Sequence, residues 1–139
     1  MALTKQEKQT LIDLANTARQ HAYAPYSNYP VGSALRTKTG RIFTGVNVEN
    51  AAYPQTMCAE RVAIFKAISE GEKEFEAISV VTDNGGSPCG GCRQVLAEFG
   101  LDTFVLMADG SGKLVKEMTV RELLPEAFMP DHLSKQVDT

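Results

Sequence analysis

Cysteine and histidine are scarce in this sequence, which has three cysteines and two histidines among 139 residues. An odd number of cysteines does not form a complete disulfide framework, and such frameworks are typical of oxidising compartments. No stretch approaches the roughly 18 apolar residues of a membrane span, and the N-terminal residues contain no apolar signal-peptide core. We therefore expect a cytoplasmic protein with reduced thiols and no membrane partner.

An excess of positive charge is also absent. The chain has 14 Lys and Arg residues against 17 Asp and Glu residues, which gives a net charge of −3. Binding to nucleic-acid backbones depends on clustered Lys and Arg, so we expect no nucleic-acid partner. The length and the 43% hydrophobic content are typical of one globular domain. We assign this domain to residues 1–129 and interpret residues 130–139 as a polar, mobile tail.

Apolar periodicity and turn residues predict alternating helices and strands. Strands joined by helical crossovers are parallel, whereas a hairpin adds an antiparallel pair, so we expect an α/β fold with a mixed sheet and helices on both faces, a three-layer α-β-α sandwich. The predicted elements are a helix at 5–22 that begins with a capping box, hairpin strands at 31–36 and 41–48, a loop at 49–56, a helix at 59–68, a strand at 77–82, a helix at 91–99, a strand at 103–107 and a short helix from 119 that ends before Pro125.

The three cysteines lie where two of the predicted helices begin. Cys89 and Cys92 have i, i+3 spacing in one helical turn, and Cys58 precedes the other helix. Tetrahedral zinc with Zn–S bonds of about 2.3 Å needs sulfur atoms about 3.8 Å apart, which this spacing can supply. A thioredoxin-like redox pair is the alternative for the two later cysteines, and a small buried apolar residue is the alternative for Cys58. The combination of all three favours a metal site.

A fourth protein ligand is not apparent. His21 lies in the first predicted helix and His132 in the tail, and neither is spaced to join the cysteines. Structural zinc sites usually have four protein ligands, whereas catalytic sites leave one position for water. Glu60, two residues after Cys58, is not on the same helix face but can reach that open position. The alternative for Glu60 is an acidic residue that is favoured near a helix N-terminus by the helix dipole alone.

These motifs together resemble the zinc-dependent nucleoside deaminases, which combine a three-ligand zinc, a non-ligand Glu and a P-C-x-x-C motif. Within that family the chain most resembles the short, homotetrameric cytidine deaminases, which implies a sheet of roughly five strands. The matching segments are Cys58-Ala59-Glu60-Arg61, residues 88–94 (PCGGCRQ), 23–27 (YAPYS), 31–32 (VG), 47–53 (NVENAAY) and 122–125 (ELLP).

The resemblance implies an activity and a cofactor. Cytidine, and with it 2′-deoxycytidine, would be hydrolysed to uridine or 2′-deoxyuridine and ammonia in pyrimidine nucleoside salvage. A zinc-bound hydroxide would attack the base, with one Zn²⁺ per subunit held by Cys58, Cys89 and Cys92. Glu60 would be the catalytic proton shuttle.

The resemblance also implies the substrate contacts. Asn47 and Glu49 would bind the ribose 3′-hydroxyl, although a polar strand end would explain them equally. Tyr29 occupies a position where the family commonly has Phe stacked on the base, so the aromatic face is kept and a hydroxyl is added. Tyr53 and Phe128 would line the site of a neighbouring subunit in the homotetramer.

The charge of the metal site needs an explanation, because three thiolates and Zn²⁺ sum to −1. Two helix N-termini would offset part of this charge. Arg61 would donate hydrogen bonds to the thiolates, as the resemblance also suggests. The alternative for Arg61 is a surface salt bridge.

Three other functions stay open from the sequence. Another pyrimidine nucleoside such as blasticidin S could be the substrate, although residues 47–50 (NVEN) match the cytidine branch. A tRNA or DNA deaminase is disfavoured by the acidic, short chain. A zinc-stabilised binding module without catalysis would use the cysteines for folding alone.

Overall fold

A mixed five-stranded sheet forms the centre of the structure, a computed structural model that describes residues 3–134. The strand order is β2-β1-β3-β4-β5, with β3 and β4 parallel and the other neighbouring pairs antiparallel. This confirms the predicted α/β fold with a mixed sheet. The strands are β1 at Gly32–Thr37, β2 at Ile42–Val46, β3 at Phe75–Val81, β4 at Phe104–Ala108 and β5 at Leu114–Thr119.

Helices cover both faces of this sheet, which gives the expected three layers. Helix α1 packs through Leu11 and Ile12 on one face, where Ala77 and Val81 of β3 form the sheet side of the core. Alternate residues of the strands face the other way and pack against α2, α3 and α4. The helices are α1 at Lys5–Ala18, α2 at Ala59–Ser69, α3 at Gly90–Phe99, α4 at Val120–Leu123 and α5 at Asp131–Ser134.

The strand directions bring two helix starts to one edge of the sheet. Strand β2 is antiparallel to β1, and β1 is antiparallel to β3, so β2 and β3 run in the same direction. Helix α2 follows β2 and helix α3 follows β3, so both helices begin at the carboxyl edge of these strands. This edge is where ligands bind in open α/β sheets.

Two sequence predictions were wrong in detail. The first helix ends at Ala18 and not at residue 22, because Arg19–His21 tightens into a 3₁₀ turn. Strand β5 was not predicted, and it makes the end of the sheet antiparallel, because it pairs with β4 after a turn and not after a helical crossover. The predicted loop at 49–56 contains a short 3₁₀ turn at Tyr53–Gln55.

The C-terminal segment is described only in part. Helix α5 lies within the predicted tail, and residues 135–139 lie outside the described part of the chain. The boundary between domain and tail stays a prediction. Across residues 3–134, no helix combines the length and the apolar character needed to cross a membrane.

Gly45 in β2 determines how closely α2 approaches the sheet. A Cβ atom at this position would lie 2.3 Å from the carbonyl oxygen of Ala59 and 2.6 Å from the backbone nitrogen of Ala63. We expect Gly45→Ala to lower the free energy of unfolding by about 1–3 kcal/mol, because α2 must move away from the sheet. Urea unfolding measures this loss. Thr44→Ala, which adds no atom between β2 and α2, is the matched control and should cost less than about 1 kcal/mol.

Candidate active site

Three cysteine sulfur atoms converge where α2 and α3 begin. The Sγ atoms of Cys58 and Cys89 are 3.8 Å apart, and those of Cys89 and Cys92 are 3.4 Å apart. All three lie within 4.8 Å of one another. The first distance equals the sulfur separation of about 3.8 Å expected for tetrahedral zinc with Zn–S bonds of about 2.3 Å. No disulfide joins the cysteines in the described chain.

The helix starts explain why the sulfurs converge. Cys58 is the N-cap residue of α2 and Cys89 is the N-cap residue of α3, both with extended backbone. Cys92 follows in the first turn of α3, where i and i+3 side chains lie on one side. Each helix N-terminus carries roughly half a positive charge, so both favour negative sulfur at this place.

The ionisation of the cysteines shows why a cation fits between them. Hydrogen bonds from the Cys92 thiol and from Arg61 lower the pKa of Cys58 to about 5. The hydrogen bond to Cys58, together with burial, raises the pKa of Cys92 above its usual range. Cys58 and Cys92 therefore do not ionise together unless a positive ion balances them. A divalent metal supplies that balance, so the donor set fits zinc.

Arg61 contacts the sulfur cluster. Its Nη2 atom donates to the Sγ atom of Cys58 at 3.1 Å, and this contact raises the pKa of Arg61. Its Nε atom is buried and has no acceptor among residues 3–134. None of the ion pairs found in that range includes Arg61, so the structure does not support the alternative of a surface salt bridge.

Glu60 is a buried carboxylate beside the cluster. It occupies the first turn of α2, and only 4% of its surface is exposed. Burial, with a smaller contribution from the charge on Cys58, raises the pKa of Glu60 to about 7. A buried carboxyl group usually has a charged partner or a function, because removing its charge from water is costly.

A cavity of about 190 Å³, which we call the main cavity, is lined by Glu60 together with Cys58 and Cys89. Tyr29 and Asn47, both predicted as substrate contacts, line this cavity. Asn47 donates to the carbonyl oxygen of Tyr29 at 2.9 Å and accepts from the backbone N–H of Val31 at 2.9 Å. Its amide therefore fixes the wall of the cavity and keeps one N–H free for a ligand.

Glu49 and Tyr53 line a neighbouring cavity of about 240 Å³, with Thr56 common to both. The carboxylate of Glu49 accepts from the backbone N–H groups of Tyr26 and Ser27 at 2.9 Å and 3.1 Å and also from the Ser27 hydroxyl. Hydrogen bonds, with that from the Ser27 side chain the strongest, lower the pKa of Glu49. Glu49 therefore lines the second cavity and Asn47 the first, and the predicted contact of both residues with the ribose stays a prediction.

Phe128 is not part of either cavity in the described chain. The centroid of its ring lies 5.3 Å from that of the His132 ring, the two rings are tilted by 34°, and 57% of the residue is exposed. Tyr53 is also exposed, at 70%, with its ring edge against Tyr26. The predicted role of both residues in a neighbouring subunit's site stays a prediction.

Sequence reasoning missed several residues that line the main cavity. Small or apolar residues next to a motif carry no chemical signal of their own, and Thr82 is recognisable only by its position at the end of β3. The missed lining residues are Val31, Thr56, Met57, Ala59, Val80, Thr82 and Ser87.

Comparison with known proteins agrees with this geometry. The model of the cytidine and deoxycytidylate deaminase zinc-binding region matches residues 5–108. A cytidine deaminase from Sporosarcina psychrophila is 48% identical over 126 residues, which cover 89% of this chain and 93% of the relative. A blasticidin-S deaminase from Bacillus cereus is 39% identical over 109 residues, which cover 71% of this chain and 76% of the relative.

A solved structure has the same fold. The 1.6 Å crystal structure of cytidine deaminase from Burkholderia pseudomallei is 44% identical, with a TM-score of 0.83, and the match covers 91% of this chain and all of that chain. The matched family is hydrolytic and binds zinc, for which the three cysteines supply a suitable site. The chain therefore belongs to the zinc-binding cytidine and deoxycytidylate deaminase family.

Proposed function

We propose that this enzyme hydrolyses cytidine to uridine and ammonia, accepts 2′-deoxycytidine as well, and serves pyrimidine nucleoside salvage in the cytoplasm. The observation that carries this proposal is the buried carboxylate of Glu60 in one cavity with Cys58 and Cys89. The cytidine deaminases from Sporosarcina psychrophila and Burkholderia pseudomallei support the choice of cytidine. The free, closely spaced thiols are compatible with a reducing compartment.

Glu60 moves the protons in this reaction. Cys58, Cys89 and Cys92 would hold zinc, which would lower the pKa of a water molecule so that this water can lose a proton and attack at neutral pH. Glu60 accepts a proton from the attacking water and delivers it to N3 of the base as the new C–O bond forms at C4. It then transfers the proton of the new C4 hydroxyl to the amino group, so that the C4 carbonyl forms as the C–N bond breaks and ammonia leaves. Water and cytidine are thus converted to uridine and ammonia without a change of oxidation state.

The walls of the cavity bind the nucleoside. The Tyr29 ring packs on the base, and the free N–H of Asn47 donates to the ribose. Glu49 accepts from the ribose 3′-hydroxyl on the far side of Thr56, where its carboxylate is already held by the backbone of Tyr26 and Ser27. A nucleoside that spans both cavities would contact all of these residues.

A homotetramer would complete each site. The main cavity, at about 190 Å³, is smaller than the roughly 300–1,000 Å³ of typical small-molecule sites. Tyr53 and Phe128 present exposed rings that would cover the nucleoside in a neighbouring subunit. Light scattering during size-exclusion chromatography tests the assembly, and a monomer that is fully active would contradict this role for the two rings.

Arg61 withdraws charge from the Cys58 thiolate in this account. We expect Arg61→Ala to weaken zinc binding by about 10- to 100-fold, because the sulfur loses its N–H donor. Competition with a chromogenic chelator measures the affinity. Arg61→Lys keeps the positive charge and should lose less. An unchanged zinc affinity together with an unchanged pH profile of kcat would contradict the role.

Incubation of the zinc-loaded protein with cytidine tests the proposed activity. We expect the cytidine absorbance band to disappear while uridine and ammonia form in equal amounts. Blasticidin S is the competing substrate, since the relative from Bacillus cereus is a blasticidin-S deaminase. A higher kcat/KM for blasticidin S than for cytidine would replace the proposed substrate. No ammonia from either compound would favour a zinc-stabilised binding module.

A further inference from the structure

The Tyr29 hydroxyl connects a residue that lines the main cavity to the connection between β3 and α3. It donates to the Oδ1 atom of Asn84 at 2.7 Å, across 55 positions of sequence. Tyr29 belongs to the segment before β1, whereas Asn84 belongs to the connection between β3 and α3 that leads to Cys89. A single side-chain hydrogen bond therefore joins the aromatic wall to the connection that carries a metal ligand.

Asn84 is itself held in place by the sheet. It forms a β-bridge with Asp109, directly after β4. Its Oδ1 atom also accepts from the Thr82 hydroxyl at 3.3 Å, and Thr82 accepts from the backbone N–H of Gly86 at 2.8 Å. The acceptor for Tyr29 is thus fixed by the end of the sheet and not by a free loop.

The connection also approaches the Tyr29 hydroxyl closely. A Cβ atom at Gly86 would lie 2.9 Å from the Tyr29 oxygen. On the other side of the ring, the backbone N–H of Tyr29 donates to the Ser27 hydroxyl at 3.1 Å, and Ser27 in turn donates to Glu49. Tyr29 is therefore held at its backbone and at its hydroxyl, and it lines the main cavity.

We propose that the Tyr29–Asn84 hydrogen bond is a positioning contact that holds the Tyr29 ring in place for the nucleoside. The proposal rests on the proposed function, because it assigns the ring a bound pyrimidine. An aromatic ring fixed before binding loses less conformational freedom when the ligand arrives, so the contact strengthens binding. It leaves the chemical step unchanged, since Tyr29 is given no proton to move.

Two substitutions remove this contact from opposite sides. Tyr29→Phe keeps the ring and removes the donor, whereas Asn84→Leu keeps the approximate shape and removes the acceptor. We expect each to raise KM for cytidine roughly threefold to tenfold, the range given by one lost hydrogen bond. The double variant should be no worse than Asn84→Leu alone, because Asn84→Leu already removes the contact with Tyr29 together with the contact with Thr82. Zinc content and kcat should stay close to those of the wild type.

Two controls separate positioning from a general effect on structure. Asn84→Asp keeps an oxygen acceptor and should retain the wild-type KM. Tyr23→Phe removes the hydroxyl of another tyrosine in the same segment, one that is 55% exposed, and should also leave KM unchanged.

The outcomes distinguish this proposal from the activity on which it rests. A Tyr29→Phe variant with an unchanged KM, a fall in kcat alone, or single effects that multiply in the double variant would overturn the positioning role while deamination stands. A wild-type protein that releases no ammonia from cytidine would overturn the proposed function and this role with it.

Discussion

Glu60→Gln is expected to lower kcat for cytidine deamination by about 10²- to 10⁴-fold, the usual contribution of a positioned acid and base. Glutamine keeps the size of the side chain in a site where only 4% of the residue is exposed. It cannot accept and return a proton, so the attacking water and the leaving amino group both lose their proton carrier. The measurement is the initial rate of ammonia release at saturating cytidine.

The same variant should keep its metal, because the group that could hold the ion consists of the three cysteines and does not include Glu60. We expect equimolar zinc by elemental analysis and an unchanged fold by circular dichroism. Glu98→Gln is the matched control, since Glu98 is an exposed glutamate of α3, and its kcat should equal that of the wild type. A Glu60→Gln enzyme with wild-type kcat would show that another group transfers the proton.

Cys89→Ser is expected to abolish stable zinc binding and, with it, deamination. Serine is a good N-cap residue, so α3 should still begin at its present place. A neutral hydroxyl does not replace a thiolate ligand, because zinc binds deprotonated sulfur. The substitution therefore removes a zinc ligand without removing the N-cap of α3.

Thermal unfolding measures the loss of zinc binding as a loss of stability. Free zinc at 100 times its dissociation constant adds about 2.7 kcal/mol to the folded state, which corresponds to a Tm about 10 °C higher. We expect the wild type to lose this increment in a chelator and the Cys89→Ser variant to be insensitive to the chelator. A Cys89→Ser variant that keeps equimolar zinc, or a wild-type Tm that does not change when the chelator is added, would contradict the three-cysteine site.

The convergence of the cysteines could be predicted because its causes are local or topological. Cys89 and Cys92 share one helical turn, so their spacing alone brings the sulfurs together. Cys58 required the further expectation that α2 and α3 begin at one edge of the sheet. The structure confirms that edge, although β2 and β3 are separated by β1.

Strand β5 escaped prediction because it is an edge strand with a weak apolar pattern. The consecutive residues Val115 and Lys116 are both exposed, so buried and exposed residues do not alternate along the strand. Edge strands are short and polar in many proteins, which prevents pairing with other chains. Its pairing with β4 is a long-range interaction that propensity does not encode.

The position of the Glu49 carboxylate also depends on distant contacts. Its carboxylate is bound by Tyr26 and Ser27, more than 20 positions earlier, and nothing in the sequence around Glu49 indicates these donors. The role of Phe128 could not be derived from the sequence for a different reason, because its predicted contacts lie in a partner subunit. Sequence patterns predict such residues only through resemblance.

X-ray absorption spectroscopy at the zinc edge tests the central claim most directly, because it reports the atoms around the metal in the native protein. The account predicts one zinc ion per chain with three sulfur ligands at about 2.3 Å and one oxygen ligand at about 2.0 Å. A zinc ion with four protein ligands, or a purified protein without equimolar metal, would contradict it.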